Sequence, residues 1–174
     1  DTPRFIHHYA SMVYEPMTAF IICEWAKNVH TFIDVGAHYG FYDVLVGRQN
    51  PNCRILAFEP VPENYSILRK NLETNNIQNV QLFQTAVSDQ VGIARFQISE
   101  ASDNSGFVAN PAVDILGEIE VKMVRLDQFI DQIPNRSCLV KVDTEGSEMK
   151  VLRGMETLIR RIDDLRPVSY THLR

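Results

Sequence analysis

The sequence predicts an α/β fold, a doubly wound and mostly parallel Rossmann-like sheet, and three observations carry that prediction. Short apolar runs of strand length at 31–35, 54–58, 80–87 and 139–142 alternate with segments of helical period, the rhythm of strand-helix-strand units. The first run closes on Asp34-Val35-Gly36-Ala37-His38-Tyr39-Gly40, a glycine turn that opens a helix. The second run ends in an acid, Glu59, nineteen positions past Gly40.

Taken in order, Pro16 suits a first helical turn, and Met17, Phe20, Ile21 and Glu24 read as a leading helix ending near Asn28. A buried strand follows at 31–35, a helix at 39–47 and a second strand at 54–58. Pro62 starts the next helix, whose Val61, Tyr65, Leu68 and Leu72 recur at helical spacing before Asn75-Asn76 ends it. Strand three is predicted at 80–87. The rhythm then changes: 93–98 and 119–124 each alternate, with a loop rich in Ser, Asp, Asn and Gly over 99–110, which reads as an inserted β-hairpin. Leu126, Phe129, Ile130 and Ile133 fall at i, i+3, i+4 and i+7, ahead of a strand at 139–142 that ends at Asp143. Met149, Leu152, Met155 and Ile159 define a last helix, and 168–171 a final strand. No internal repeat or linker divides the chain, so 1–174 is read as one domain.

Composition narrows the partners. At 174 residues, 45% hydrophobic and 22% charged, the chain is the size and make-up of one globular domain. Its formal net charge is −5, and no basic run exceeds Arg160-Arg161, so no phosphate-tracking stripe is visible and no nucleic-acid partner is expected. Cys23, Cys53 and Cys138 include no C-x-x-C pair, which reads as reduced thiols and makes a cytoplasmic setting the default. The apolar stretch 17–26 is too short to cross a bilayer and is interrupted by Glu24, so no membrane partner is expected. The chain starts at Asp1 rather than Met, which leaves room for a targeting segment ahead of it.

The glycine turn and Glu59 together describe a nucleoside-cofactor site. Gly36 and Gly40 allow a tight turn against a helix start where free backbone N–H groups collect, and Glu59 can accept hydrogen bonds from both ribose hydroxyls. The position two after Gly36 is His38 rather than the glycine that lets backbone approach a pyrophosphate, which disfavours NAD; no G-K-[ST] follows, which excludes a P-loop. A site that wants a ribose but no phosphate fits S-adenosylmethionine (SAM): adenosine for Glu59, the amino-acid end for the Gly36–Gly40 turn, and an ammonium that Asp34 attracts directly or through water.

Three blocks line up in order: Asp-Val-Gly-Ala-x-x-Gly at 34–40, Ala-Phe-Glu-Pro-Val-Pro-Glu-Asn at 57–64, and Lys-Val-Asp-Thr-Glu-Gly-Ser-Glu at 141–148, with smaller echoes at Ala86-Val87-Ser88-Asp89 and Val151-Leu152-Arg153-Gly154. Together they resemble the FkbM-type SAM-dependent methyltransferase family, from about Tyr14 to Gly154. The resemblance implies the class I methyltransferase fold, with the cofactor across the carboxyl ends of the strands. It also implies O-methylation of a small-molecule hydroxyl acceptor, often a sugar or secondary metabolite. By the same resemblance Asp34, Gly36, Ala37 and Gly40 hold the methionine end, with His38 beside it in the turn. Glu59 and Pro60 hold the ribose and its flank, Ala86 and Val87 lie at the adenine edge, and Asp143 and Glu145 lie at the strand-four tip beside the reactive methyl. Members continue through a fifth strand into a further hairpin, a pattern from which 167–174 departs, so the domain is expected to be incomplete at its C-terminus.

Methyl transfer asks the protein to align an acceptor oxygen, exclude water and receive one proton. Asp143 or Glu145 is the expected proton acceptor, because two carboxylates stand two apart at a strand tip; the alternative has Asp143 touching the cofactor and Glu145 capping the Gly146 turn. His7-His8 lacks a third ligand at matching spacing, so no metal is assigned. The loop at 99–110 is either a cover for the acceptor or plain surface. A non-catalytic cofactor-binding domain or inactive fragment is a second reading, and a nucleotide-linked oxidoreductase a third that His38 opposes. Nothing in the sequence sets the oligomeric state.

Overall fold

The computed structural model describes residues 16–99, 115–133, 137–144 and 146–169. In chain order these form α1 (Pro16–Ala26), β1 (Thr31–Val35), α2 (Phe41–Gln49), β2 (Arg54–Phe58), α3 (Pro62–Thr74), β3 (Val80–Phe83), β4 (Ala86–Val87), β5 (Gly92–Ser99), β6 (Ile115–Val124), a 3-10 helix (Leu126–Gln132), β7 (Ser137–Val142), α4 (Glu148–Arg153), α5 (Glu156–Arg161) and β8 (Asp164–Ser169).

Five strands make the main sheet in the order β3-β2-β1-β7-β8. Every pairing in it is parallel. The chain winds from β1 outward to β3, returns, and winds from β7 outward to β8 in the other direction. The doubly wound fold predicted by sequence is therefore the one adopted, and its topological switch point lies between β1 and β7, where such sheets open a crevice at their carboxyl ends. A smaller sheet, β4-β6-β5, stands beside it, with β5 and β6 antiparallel as the hairpin reading expects.

Alternation along the central strands sorts residues onto two faces. Ile33 and Val35 of β1, Leu56 and Phe58 of β2, and Val140 and Val142 of β7 pack with Val151, Met155 and Leu158 of α4 and α5 and the segment between them. Phe32, Ile55 and Leu139 face the other way, against Ile22 and Ala26 of α1 and Tyr42 and Val46 of α2. By the same alternation Asp34 and Lys141 belong to this second face, beneath α2. Cys53 and Cys138 are buried free thiols, and desolvation pushes both up to about 12, well out of the reactive range.

Several expectations are corrected. The single strand at 80–87 divides: Val80–Phe83 pairs with β2, whereas Ala86–Val87 leaves for the small sheet and pairs with β6. A continuous apolar run carries no signal of which sheet it joins. The stripe Met149, Leu152, Met155, Ile159 is out of phase, because the helix breaks between Arg153 and Glu156; Val151, Met155 and Leu158 are buried, while Met149 and Ile159 are exposed. In α1 the buried side is Thr18, Ile22 and Ala26, with Met17 and Phe20 exposed. That helix is apolar nearly all round, so its period hides its inner face. The 126–133 segment has the predicted spacing but is wound as a 3-10 helix. The final strand runs over Asp164–Ser169, earlier than predicted. The loop at 100–110, His7-His8 and 170–174 lie outside the described residues.

Candidate cofactor site at the switch point

β1 delivers Asp34 and then turns sharply at Gly36. The turn uses left-handed backbone three times, at Gly36 (φ 78°), His38 (φ 52°) and Gly40 (φ 79°). Gly36 is also fixed by space: a Cβ there would lie 1.9 Å from the Asp143 carbonyl oxygen. No other residue type fits at that contact, which brings the ends of β1 and β7 together.

Four N–H groups of this turn are already engaged within the chain. Gly36 and Ala37 both donate to the Phe58 carbonyl at 3.0 Å, and Gly40 donates to Ala37 at 2.8 Å. His38 donates its backbone N–H to Glu59 Oε2 at 2.8 Å, and Val61 donates to Glu59 Oε1 at 2.9 Å. Glu59 thus clasps two turns, one before α2 and one before α3. It is 4% exposed, and burial pushes its carboxyl up to about 7, against the lowering pull of Val61, His38 and Asn64. The Asn64 side chain is a third donor to this carboxylate, which leaves it one lone pair for a further donor. Pro60 beside it is half-buried.

Parallel pairing sets Asp34 of β1 directly opposite Lys141 of β7. The Lys141 Nζ donates to Asp34 Oδ1 at 3.1 Å and to the Gly36 carbonyl at 3.2 Å, lies 3.6 Å from Asp143 Oδ2, and sits 5.1 Å from the centre of the Tyr42 ring. Burial alone would lower the lysine, but the Asp34 and Asp143 charges outweigh it and hold the ammonium charged. Asp34 is fully buried; desolvation raises it to about 6 although Lys141 draws it down. Asp43, in the first turn of α2, is also fully buried and is raised well above the ordinary carboxylate range, first by desolvation and then by the Asp34 charge. Asp34 Oδ2 and both oxygens of Asp43 have no hydrogen-bond partner. Asp143 is the open member, its side chain 19% exposed.

Sequence reading therefore brought together Asp34, Gly36, Ala37, His38, Gly40, Glu59 and Asp143, all at the carboxyl ends of β1, β2 and β7. It missed Lys141 and Asp43. A signal for the first was present, a charge at the fifth place of the apolar strand Ser-Cys-Leu-Val-Lys-Val, but its partner emerges only from register. Ala86 and Val87 are 4% and 2% exposed, so their side chains belong to the core and form no open adenine wall. Glu145 lies outside the described residues. The Gly146 turn is capped by Glu148, whose Oε1 accepts from the Gly146 N–H at 3.0 Å and from the Thr144 hydroxyl at 3.1 Å. Among the described residues no group of His, Cys, Asp and Glu is placed to hold a metal, and no helix is long and apolar enough to cross a membrane.

The residues present suit a nucleoside cofactor with a cationic end: buried orphan carboxylate oxygens at the switch point, an open carboxylate beside them, and an acid at the tip of β2. Comparison with known proteins agrees. The sequence matches the methyltransferase FkbM domain over residues 34–167. It is 31% identical over 143 residues to Methyltransferase 1 of Beauveria bassiana, covering 71% of this chain and 57% of that protein. It is 30% identical over 152 residues to the 31-O-demethyl-FK506 methyltransferase FkbM of Streptomyces tacrolimicus, covering 71% and 58%. The chain thus spans a little over half the length of these relatives. In fold it is similar to an rRNA methylase from Streptococcus thermophilus, with a TM-score of 0.51 and 12% identity over 93% of this chain and 75% of that one. On the match across the glycine turn, Glu59 and the Asp143 tip, the chain belongs to the FkbM methyltransferase domain family.

Proposed function

We propose that this domain binds SAM and serves methyl transfer to a hydroxyl oxygen of a small molecule, a sugar or secondary metabolite. The observation that carries the reading is the convergence of Asp34, Asp143 and Glu59 on one crevice, at the switch point where a doubly wound sheet takes its ligand. Membership of the FkbM family supports it, as does a relative named for a 31-O-demethyl acceptor.

In this reading Glu59 receives a ribose hydroxyl on the lone pair left by His38, Val61 and Asn64, Pro60 flanks the ribose, and Asp143 is the carboxylate reachable by the ammonium. The Gly36–Gly40 turn, with Ala37 and His38, shapes the wall for the amino-acid end by sterics rather than by donated N–H groups. Ala86 and Val87 can contribute only backbone at the adenine edge. Bound there, the cofactor supplies an electrophilic methyl on sulfonium. The chain then has to align the acceptor oxygen in line with it, keep water out and take one proton, with Asp143 or Glu145 as the acceptor.

Calorimetry with S-adenosylhomocysteine, on the wild type and on Glu59→Gln, tests the reading. The glutamine keeps the shape but presents an amide where a backbone N–H now donates. We expect at least a tenfold loss of affinity, about 1.4 kcal/mol or more, with a urea midpoint measured alongside to separate binding from folding. A folded wild type that binds no adenosyl ligand would refute it. Binding without methylation of any hydroxyl acceptor would favour the non-catalytic domain.

A further inference from the structure

The Asp34–Asp43–Lys141–Asp143 cluster has more negative charge than it can hold. Three carboxylates surround one ammonium, two of them wholly buried, and three of their oxygens lack any hydrogen-bond partner. Buried carboxylates in that state demand either a proton or a second cation. Asp34 has Lys141 at 3.1 Å, whereas Asp43 has no donor at all, so the proton belongs on Asp43, within the field of Asp34.

We propose that Asp43 is a proton reservoir for this site: it stays protonated while the crevice is empty and releases its proton to solvent when the cofactor's ammonium arrives beside Asp143 and Asp34. The inference rests on the cofactor reading above and deepens it. The exchange balances within the cluster: one proton leaves Asp43 as one ammonium enters beside Asp143 and Asp34. Asp43 looks onto Asp34 of β1 and Lys141 of β7, and it follows Tyr42 of α2, whose ring also meets Lys141. Asp143 acts on it through Asp34 and Lys141. Glu59, the remaining buried acid nearby, interacts with Asp34 and titrates on the ribose side. The raised protonation of Asp43 agrees with this geometry.

Two ligands separate the terms. S-adenosylhomocysteine carries adenosine and a zwitterionic amino-acid end; 5′-methylthioadenosine carries adenosine without that end, so any proton released from Glu59 appears with both. Calorimetry in buffers of different ionisation enthalpy counts the protons. At about pH 6 we expect about one more proton released with S-adenosylhomocysteine than with methylthioadenosine, falling toward zero at alkaline pH. In Asp43→Asn, the isostere of the protonated acid, the extra proton should vanish. In the ligand-free protein that variant should also flatten the loss of stability with rising pH, a readout independent of any cofactor. Equal counts for the two ligands, or an unchanged count in Asp43→Asn, would overturn the inference and leave the cofactor reading standing. Failure of both ligands to bind the folded wild type would overturn the cofactor reading and this inference together. Should Asp43→Asn not fold, Asp43→Ser takes its place, because Asp34, raised to about 6 beside the arriving ammonium, also contributes to the difference between ligands in the wild type.

Discussion

Lys141 shows how a residue can organise a site without facing the ligand. Its side chain is 5% exposed, and its ammonium joins three things that the chain brings from separate places: Asp34 on β1, the Gly36 carbonyl in the turn, and Asp143 past β7. Removing one partner of a buried pair strands the other as an uncompensated charge, which costs roughly 3–5 kcal/mol, whereas removing both can be nearly neutral. Lys141→Met should therefore lower stability to urea by that amount. The double variant Asp34→Asn, Lys141→Met should regain most of it while binding S-adenosylhomocysteine no better than the single one. A single variant as stable as wild type would mean that the pair does not hold the strand tips together. Glu59 poses the same problem in another form, since its carboxylate satisfies two backbone N–H groups. Replacement by alanine would orphan both, at a cost of roughly 1–3 kcal/mol each, so alanine is a poor probe of binding there.

Among the elements, the two short motifs at 86–89 and 151–154 prove to be one joint. A Cβ on Gly154 would lie 2.1 Å from the Ser88 carbonyl oxygen, so the break between α4 and α5 presses directly on the end of β4. Arg125 clamps the same place, donating to the Asp89 carbonyl at 2.7 Å and the Arg153 carbonyl at 3.1 Å while pairing with Asp127 at 3.0 Å. Asp127 in turn accepts from the N–H groups of Thr157 and Leu158 at the start of α5. Gly154→Ala must push the helix pair off the small sheet. Overpacking of this kind costs about 1–3 kcal/mol, and we expect a fall in Tm of roughly 2–12 °C for a domain of this size. Normal Tm in that variant would show that the joint is slack.

For the whole molecule, the described buried acids run against the usual acid-unfolding trend. Asp34, Asp43 and Glu59 all have folded-state values raised by burial. A raised group adds stability that is complete below its unfolded value and is lost as pH climbs through its folded value, at up to about 1.4 kcal/mol per pH unit for each group. Stability should thus decline from about pH 4 toward about pH 7 and beyond. Among the described acids only Asp164, drawn low by its hydrogen bond from Arg166, is shifted the other way, and it is at the surface. Urea midpoints at about pH 5 and about pH 7.5 check this, and a higher midpoint at the upper value would contradict it. A bound cation should flatten the decline, because it supplies the charge that the protons otherwise provide.

The sequence by itself determined the parallel, doubly wound character of the main sheet, the positions of β1 and β2, the glycine turn with the acid that follows it, and the family. These follow from local period and from turn chemistry that only glycine permits, as at Gly36. Tertiary structure alone decided that 80–87 serves two sheets, that α4 and α5 are separate, that the turn's N–H groups are spent on Phe58 and Glu59, and that Lys141 meets Asp34. Register and burial are relations between distant segments. A charge inside an apolar strand declares itself in the sequence, but the strand across the ladder that neutralises it is fixed only when the sheet forms.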